Sequence, residues 1–84
     1  MEEKEIRKTI SNYIKEEFLN EDDAITFGAD TPLVSSRIMD SISTLQLVDF
    51  VEKTFGIEFS HHEVDQDNLD TVNKIYAFIE RKKG

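Results

Sequence analysis

The sequence places one candidate nucleophile, Ser41, directly after an aspartate, where an amphipathic helical pattern begins: DSISTLQLVDFVEKTFG. A serine acts as a catalytic nucleophile when a general base lies within hydrogen-bond reach and an oxyanion hole faces the substrate. The only histidines, His61 and His62, are adjacent in a predicted loop or short helix, and no Gly-x-Ser-x-Gly motif surrounds Ser41. A chain of 84 residues also offers little concave volume from which water is excluded. The sequence therefore argues against a hydrolase and predicts no catalytic residue.

Residues of the types that bind metals are absent or wrongly spaced. The chain has no cysteine, which excludes disulfides, zinc fingers and thiol nucleophiles. The triplet at residues 61–63 lacks the i, i+4 spacing by which two helical residues hold zinc. A calcium loop opening at Asp65 would need an oxygen ligand where Leu69 stands and glycine where Asp70 stands. Neither a zinc site nor a calcium site is predicted.

Ser41 is also well placed to be a point of covalent attachment. A hydroxyl in the first turn of a helix can be esterified to a phosphate, whose charge then faces the free N–H groups and the positive dipole end of that helix. The plainer alternative is that serine is simply a favourable residue at a helix start. The dipeptide Asp40-Ser41 alone leaves both interpretations open.

Hydrophobic periodicity predicts the elements on either side of this serine. A first helix spans about residues 4–18, where Ile6, Ile10, Tyr13, Ile14 and Phe18 follow helical spacing. The connection over residues 19–39 has no sustained period, and we expect apolar anchors to pin it to the core. Those anchors are Ile25, Phe27, Leu33, Val34 and Ile38.

A second helix is predicted from Ser41 to Phe55. Asp40 is suited to be its N-cap, because a carboxylate there accepts backbone N–H bonds and meets the positive end of the helix dipole. Gly56 is the expected left-handed residue that ends it.

Two further helices complete the predicted fold. Ser60 and Glu63 form a possible capping box that would open a short helix. The last helix is predicted to start at Asp70 and to carry Arg81, Lys82 and Lys83 at its carboxyl end. The predicted fold is therefore an all-α four-helix bundle, with three longer helices, one short helix and a long loop between the first two.

The same periodicity predicts the hydrophobic core. On the second helix, Ile42, Leu45, Val48 and Phe55 are assigned to one inward stripe, which Leu47 and Val51 widen. The full predicted core is Ile6, Ile10, Tyr13, Ile14, Phe27, Leu33, Ile42, Leu45, Val48, Val51, Phe55, Val72, Ile75, Tyr76 and Ile79. Truncation of Leu45 to alanine is accordingly expected to cost about 2–5 kcal/mol of stability.

Composition limits the classes of partner. Eighteen acidic and ten basic residues give a formal net charge of −8, which disfavours nucleic acid and anionic membrane surfaces. No apolar run approaches the roughly 20 residues that span a bilayer, and the N-terminal stretch is charged rather than a signal sequence. We expect one domain over residues 1–84, a monomer, located in the cytoplasm, with no nucleic-acid partner and no membrane insertion.

The segment IMDSISTLQLVDFVEKTFGIEF, residues 38–59, resembles the phosphopantetheine attachment segment of acyl and peptidyl carrier proteins. In that family an Asp-Ser-Leu triplet opens the second helix of a four-helix bundle, and the order of elements is the one predicted here. The stretch DTVNKI, residues 70–75, is similar to the start of the last helix in D-alanyl carrier proteins. The resemblance covers nearly the whole chain and favours attachment over a plain helix start.

The resemblance implies a role for each residue of the triplet. Ser41 would receive 4′-phosphopantetheine from coenzyme A, which gives a phosphodiester and a flexible arm ending in a thiol. Asp40 would cap the helix and help the transferase and its magnesium ion engage the site. Ile42 stands where leucine is usual in an apolar contact with partners, a change that conserves volume.

The implied protein is a carrier and not an enzyme. Its partners would be a phosphopantetheinyl transferase, an adenylating ligase or acyltransferase that loads the thiol, and a downstream transferase or synthase. The predicted partner interface lies on the exposed face of the second helix, with Ser43, Gln46, Asp49 and Glu52.

The cargo expected from the resemblance is an amino acid or small acid. The exposed face of the second helix carries fewer acids than fatty-acid carriers tend to show, and bulky Phe50 and Phe55 partly replace the short aliphatic residues that line a pocket for long acyl chains. Two alternatives stay open: an acyl carrier of fatty-acid synthesis, and an unmodified acidic helical adaptor that binds partner proteins.

Overall fold

The computed structural model describes residues 2–22 and 27–83, and their regular elements are helical, with no β-strand among them. The α-helices are α1 (Glu3–Phe18), α2 (Ser41–Phe55), α3 (Gln66–Leu69) and α4 (Val72–Lys83), and a 3₁₀ helix at His61–Glu63 precedes α3. The predicted all-α bundle, with three longer helices, one short helix and a long connection after α1, is confirmed.

Helix α1 forms because its apolar residues repeat at four-residue spacing. Ile6, Ile10 and Ile14 are buried on one face, which packs against α4 and α2. Glu3 forms an ion pair with Arg7 one turn later at 2.9 Å, and it lies in the first turn, where the helix dipole favours acids.

Helix α2 begins and ends as predicted. The Asp40 side chain accepts the backbone N–H of Ser43, which makes it the N-cap. Gly56 ends the helix in the left-handed region, with φ of 67°, and donates its N–H to the Glu52 carbonyl. A side chain at residue 56 would be strained by that φ, so glycine is the residue this ending requires.

The inward face predicted for α2 is partly wrong. Ile42 and Leu45 are 69% and 58% exposed, and they are not core residues. The buried residues of α2 are Leu47, Val48, Val51 and Phe55. Because each residue turns the helix by about 100°, the i, i+4, i+8 set formed by Leu47, Val51 and Phe55 points inward. That register carries Ile42 and Leu45 to the opposite side.

The rest of the predicted core is confirmed or only partly buried. Tyr13, Phe27 and Tyr76 are half-buried and pack against the core, and Ile25 lies outside the described residues. Besides Leu47, the core includes residues that the prediction lacked: Met39, Ile57, Leu69 and Phe78. Two aromatic stacks brace the bundle, Tyr13 on Phe50 at 3.9 Å and Phe59 on Phe78 at 4.2 Å between ring centroids.

The predicted start of the last helix at Asp70 is also wrong. Helix α4 begins at Val72, after the Thr71 hydroxyl, which accepts the Lys74 N–H at 3.0 Å. Asp70 is instead the residue that ends α3, and its carboxylate is turned toward the connection that precedes α2. Periodicity does not reveal this role, because the hydrogen-bond partners lie about 35 residues earlier in the chain.

The capping box predicted at the 3₁₀ helix is confirmed. Glu63 accepts the Ser60 N–H at 2.8 Å, and the Lys82 ammonium of α4 lies 2.8 Å from the same carboxylate. The hydrogen bonds from Lys82 and then Ser60 lower the pKa of Glu63 to about 2. This contact fastens the 3₁₀ helix to the end of α4.

The register of α2 predicts a contrast between two leucines. Leu47 is fully buried, so Leu47→Ala is expected to lower the free energy of unfolding by about 2–5 kcal/mol. Leu45 is largely exposed, so Leu45→Ala should change it by less than about 0.5 kcal/mol. Urea unfolding of the two variants beside the parent measures both, and equal losses would show that the register is wrong.

Candidate functional site

Ser41 is the first residue of α2, and its side chain is exposed. The Asp40 carboxylate accepts the Ser43 N–H at 2.8 Å, and the Thr44 hydroxyl donates to the Asp40 carbonyl at 2.7 Å. These bonds fix the first turn of the helix around Ser41. The serine hydroxyl therefore projects to solvent from a rigid backbone, at the positive end of the helix dipole.

The carboxylate beside this hydroxyl is ionised at neutral pH. The hydrogen bonds that Asp40 accepts from Ser43, first the backbone N–H and then the hydroxyl, lower the pKa of the Asp40 carboxyl below its ordinary value. Asp40 is exposed, so an ion or a cationic side chain of a partner has access to it. The site thus offers a free hydroxyl next to an accessible negative charge.

The three neighbouring serines have engaged hydroxyls. Ser35 donates its hydroxyl to Asp70 at 2.9 Å, and Ser36 donates to the Pro32 carbonyl at 2.6 Å. The Ser43 hydroxyl faces the Asp40 carboxylate and helps to lower the pKa of that carboxyl. Within the described part of the chain, the hydroxyl of Ser41 has no such partner. Among residues 35–43, Ser41 is therefore the serine whose hydroxyl is free to be modified.

An open cavity of about 460 Å³ lies directly beside Ser41. It is bounded by the connection before α2, the first turns of α2, and the segment that leads from the 3₁₀ helix into the start of α3. Its lining mixes apolar and polar side chains: Val34, Met39, Asp40, Ser41, Thr44, Leu45, Val64, Asp65 and Gln66. An extended chain attached to Ser41 has a recess of suitable size within reach.

A second groove, of about 530 Å³, lies across Leu45 from this cavity. The Tyr13–Phe50 ring stack lines it, together with exposed Ile42 and Leu45. Leu45 lines both recesses and therefore forms the ridge between them. Phe50 thus packs on α1 and lines this second groove, so its bulk does not fill the recess beside Ser41.

The residues predicted as a partner interface differ in their accessibility. Gln46 and Asp49 are exposed, and Ser43 is half-buried. Asp49 forms an ion pair with Lys53 at 2.9 Å. Glu52 is half-buried, and it accepts the Phe59 N–H at 2.8 Å, which ties the segment after α2 back to the helix. One oxygen of Glu52 is thus already committed within the protein.

Sequence reasoning missed Leu45 as a surface residue. The sequence carries no signal that decides this, because Leu45 lies three residues from both Ile42 and Val48, a spacing that fits an inward stripe equally well. The two histidines, His61 and His62, are exposed. No group of three potential metal ligands occurs within residues 2–22 and 27–83.

None of the helices in those ranges is long and apolar enough to cross a bilayer.

Comparison with known proteins gives consistent matches. A family model described as "Phosphopantetheine attachment site" matches residues 8–79, a range that includes Asp40 and Ser41. The chain is 34% identical over 59 residues to a D-alanyl carrier protein of Lacticaseibacillus casei, covering 70% of this chain and 73% of the relative. It is 32% identical over 80 residues to an acyl carrier protein of Coprothermobacter proteolyticus, covering 95% and 93%. It is 29% identical over 80 residues to the probable acyl carrier protein PigG of a Serratia species, covering 94% and 90%.

Proposed function

This chain belongs to the acyl carrier family whose members bear a phosphopantetheine attachment site, and we propose that Ser41 is the residue that receives the 4′-phosphopantetheine. The observation that carries the proposal is the exposed hydroxyl of Ser41, free of partners among the described residues and adjacent to the ionised Asp40 cap. The residues fit the group, because the cavity of about 460 Å³ beside Ser41 has room for a folded-back pantetheine chain.

Attachment is a phosphoryl transfer in which Ser41 is the acceptor. A bond forms between the serine oxygen and the phosphorus that carries the pantetheine in coenzyme A. The phosphoanhydride bond breaks, adenosine bisphosphate leaves, and the serine proton passes to a base of the transferase. Neither His61 nor His62 is among the residues that line the cavity at Ser41. We therefore assign the general base that accepts the serine proton to the partner enzyme.

The carrier's own residues orient this reaction. The hydrogen bonds of the first turn hold the backbone of Ser41, so the hydroxyl is presented from a fixed Cα position. The exposed oxygens of Asp40 are suited to a magnesium ion brought by the transferase, because carboxylates are preferred ligands of that ion. When bound, the prosthetic group supplies a thiol, which this chain lacks.

We assign the loaded protein the role of a thioester carrier and not of an enzyme. An adenylating ligase or acyltransferase loads the thiol, and a downstream transferase or synthase takes the group. The chemistry at the thioester belongs to the cofactor and these partners, and the protein supplies recognition.

The proposed docking surface is the outward face of α2, formed by Ile42, Leu45, Gln46 and Asp49. Large apolar side chains exposed on a polar helix face are suited to a desolvated contact, with charge at the rim setting the association rate. Glu52 contributes charge at the edge of this surface, although its hydrogen bond to Phe59 also stabilises the fold.

The proposed cargo is an amino acid or small acid. Support comes from the likeness to D-alanyl carriers and from the filled core, in which Phe55 and Leu47 are buried. Relatives named as acyl carriers are about equally similar, and the cavity beside Ser41 has apolar walls at Val34 and Met39. A fatty-acid carrier is therefore the second candidate, and a direct test separates the two.

The attachment site is tested by mass. After incubation with coenzyme A, magnesium and a broad-range phosphopantetheinyl transferase, the parent should gain the mass of one phosphopantetheine, and Ser41→Ala should gain none while remaining folded. Ser36→Ala and Ser43→Ala are the matched controls and should still be modified. A gain on Ser41→Ala would move the site to another serine, and no gain on the parent would favour the unmodified adaptor.

The docking surface is tested by charge reversal. Asp49→Lys should slow loading several-fold at low ionic strength, and the difference should shrink as salt screens the attraction. Glu16→Lys, an exposed change of the same kind on α1, is the control and should have little effect. Asp49 is preferred to Glu52 here, because reversal at Glu52 would also remove an acceptor of the Phe59 N–H. Equal effects of the two reversals at every ionic strength would rule out α2 as the docking face.

The cargo class is tested by thermal stability. Short aminoacyl and long acyl groups are attached chemically to the same modified protein, and melting temperatures are compared. A group buried only in the folded state must stabilise that state. We expect no rise with either cargo, since a short polar group stays at the surface and the core is filled. A clear rise with long chains alone would assign the protein to fatty-acid chemistry.

A further inference from the structure

Asp70 is the one buried charged residue in the described part of the chain, with 8% of its surface exposed. A buried carboxylate is costly unless hydrogen bonds compensate it. Here its two oxygens accept the N–H groups of three successive residues, Leu33, Val34 and Ser35, at 3.2, 2.9 and 2.8 Å, and the Ser35 hydroxyl at 2.9 Å. Burial alone would raise the pKa of the Asp70 carboxyl, but the bonds from Ser35, Val34 and Leu33 outweigh it and lower that pKa.

The segment that Asp70 holds leads directly to Ser41. The Leu33 N–H also donates to the Asp70 carbonyl, and the Met39 N–H donates back to the Leu33 carbonyl at 3.0 Å. Residues 33–39 therefore form a closed loop whose two ends meet beside Asp70. Its last residue, Met39, immediately precedes the cap and the serine.

One residue of the loop has a backbone conformation that non-glycine residues rarely adopt. Arg37 has φ of 68°, the only positive φ of a non-glycine residue among the described residues, and its N–H donates to the Val34 carbonyl at 3.1 Å. Such a backbone is unfavourable for a long side chain and persists where surrounding contacts over-determine it. The bonds that Asp70 accepts lie in the same loop, at residues 33–35.

The loop also forms one wall of the cavity beside Ser41. Val34 and Met39 line that cavity, and Val34 donates its N–H to Asp70. Asp70 itself is buried and does not line the cavity, so it acts on the site only through the loop.

We propose that Asp70 is a positioning residue for the modification of Ser41: by holding residues 33–39, it fixes Asp40 and Ser41 in the geometry that the transferase engages. This inference rests on the proposed attachment at Ser41. It adds that a carboxylate on the far side of the loop, at the junction of α3 and α4, sets how fast that serine reacts.

The test compares Asp70→Ala and Asp70→Asn with the parent in steady-state transfer from coenzyme A. Asp70→Ala removes the acceptor and should lower kcat about tenfold, because small misplacement of a reacting group is costly. Asp70→Asn keeps one acceptor oxygen but loses the charge, and should lower kcat about threefold. The KM for the carrier should change less than about twofold, since the docking face on α2 is untouched.

A second measurement records the loop directly and does not depend on modification. Native-state hydrogen exchange of the amides of Leu33, Val34 and Ser35 should speed up in both variants, in the same order as the loss of kcat, while amides of α4 keep their protection. If Asp70→Ala does not fold, Asp70→Asn decides alone. Faster loop exchange with an unchanged kcat would overturn the proposal, as would an effect confined to KM.

Ile10→Val is the matched control for a general loss of stability, since it weakens the core in α1 without touching the loop bonds. It should leave kcat unchanged at temperatures where it is folded, and an equal loss of kcat in this variant would overturn the positioning role. The two proposals fail separately: modification of Ser41→Ala refutes attachment at Ser41, whereas normal kcat in the Asp70 variants refutes positioning and leaves attachment intact.

Discussion

The burial of one face of α2 is the constraint on which the rest of the site depends. Leu47, Val51 and Phe55 occupy the core, and because side chains on a helix are fixed relative to one another, their burial determines where every other residue of α2 points. Ile42, Leu45 and Asp49 are thereby turned to solvent along the first three turns. The same packing that stabilises the bundle thus creates the exposed surface that we propose as the docking face.

Register alone would leave the start of the helix free to fray. Helix ends carry unsatisfied N–H groups, and the structure satisfies them at α2 through Asp40, and in the loop before it through Asp70. One carboxylate acts from within the first turn, the other from the α3–α4 junction. Ser41 lies between these two sets of bonds and the packed body of the helix, which is why a surface residue has a defined position.

The sequence was sufficient for most of the elements, because local rules govern them, whereas Ser41 was singled out as an attachment site only by the resemblance of the surrounding segment to carrier proteins. Helical spacing, the Asp40 cap, the Gly56 ending and the Ser60–Glu63 box are short-range features, and each was found where it was predicted. The inward face of α2 was less well determined, because apolar residues lie on both of its sides and steps of three residues lead from Ile42 to Leu45 and from Leu45 to the buried Val48. The decisive factor is which side of the helix meets α1 and α4, and that is a property of the tertiary structure.

The structural role of Asp70 was not predicted for a related reason. An acidic residue is favourable at a helix start, which is where the sequence placed it, and only the fold brings its carboxylate to Leu33 and Ser35.

Two aspartates therefore have opposite roles because their burial differs. Asp40 is exposed, so its charge is open to a partner or an ion as well as to the helix that it caps. Asp70 is buried and its carboxylate accepts hydrogen bonds from the loop, so its charge is compensated within the protein. With its pKa held below the ordinary value of 3.8, Asp70 contributes stability that is fully present above that pH and is lost as the pH falls through the lowered pKa. At neutral pH both carboxylates are ionised, so the hydrogen bonds that Asp40 accepts at the helix start and those that Asp70 accepts from the loop are both kept, and the backbone on either side of Ser41 is held.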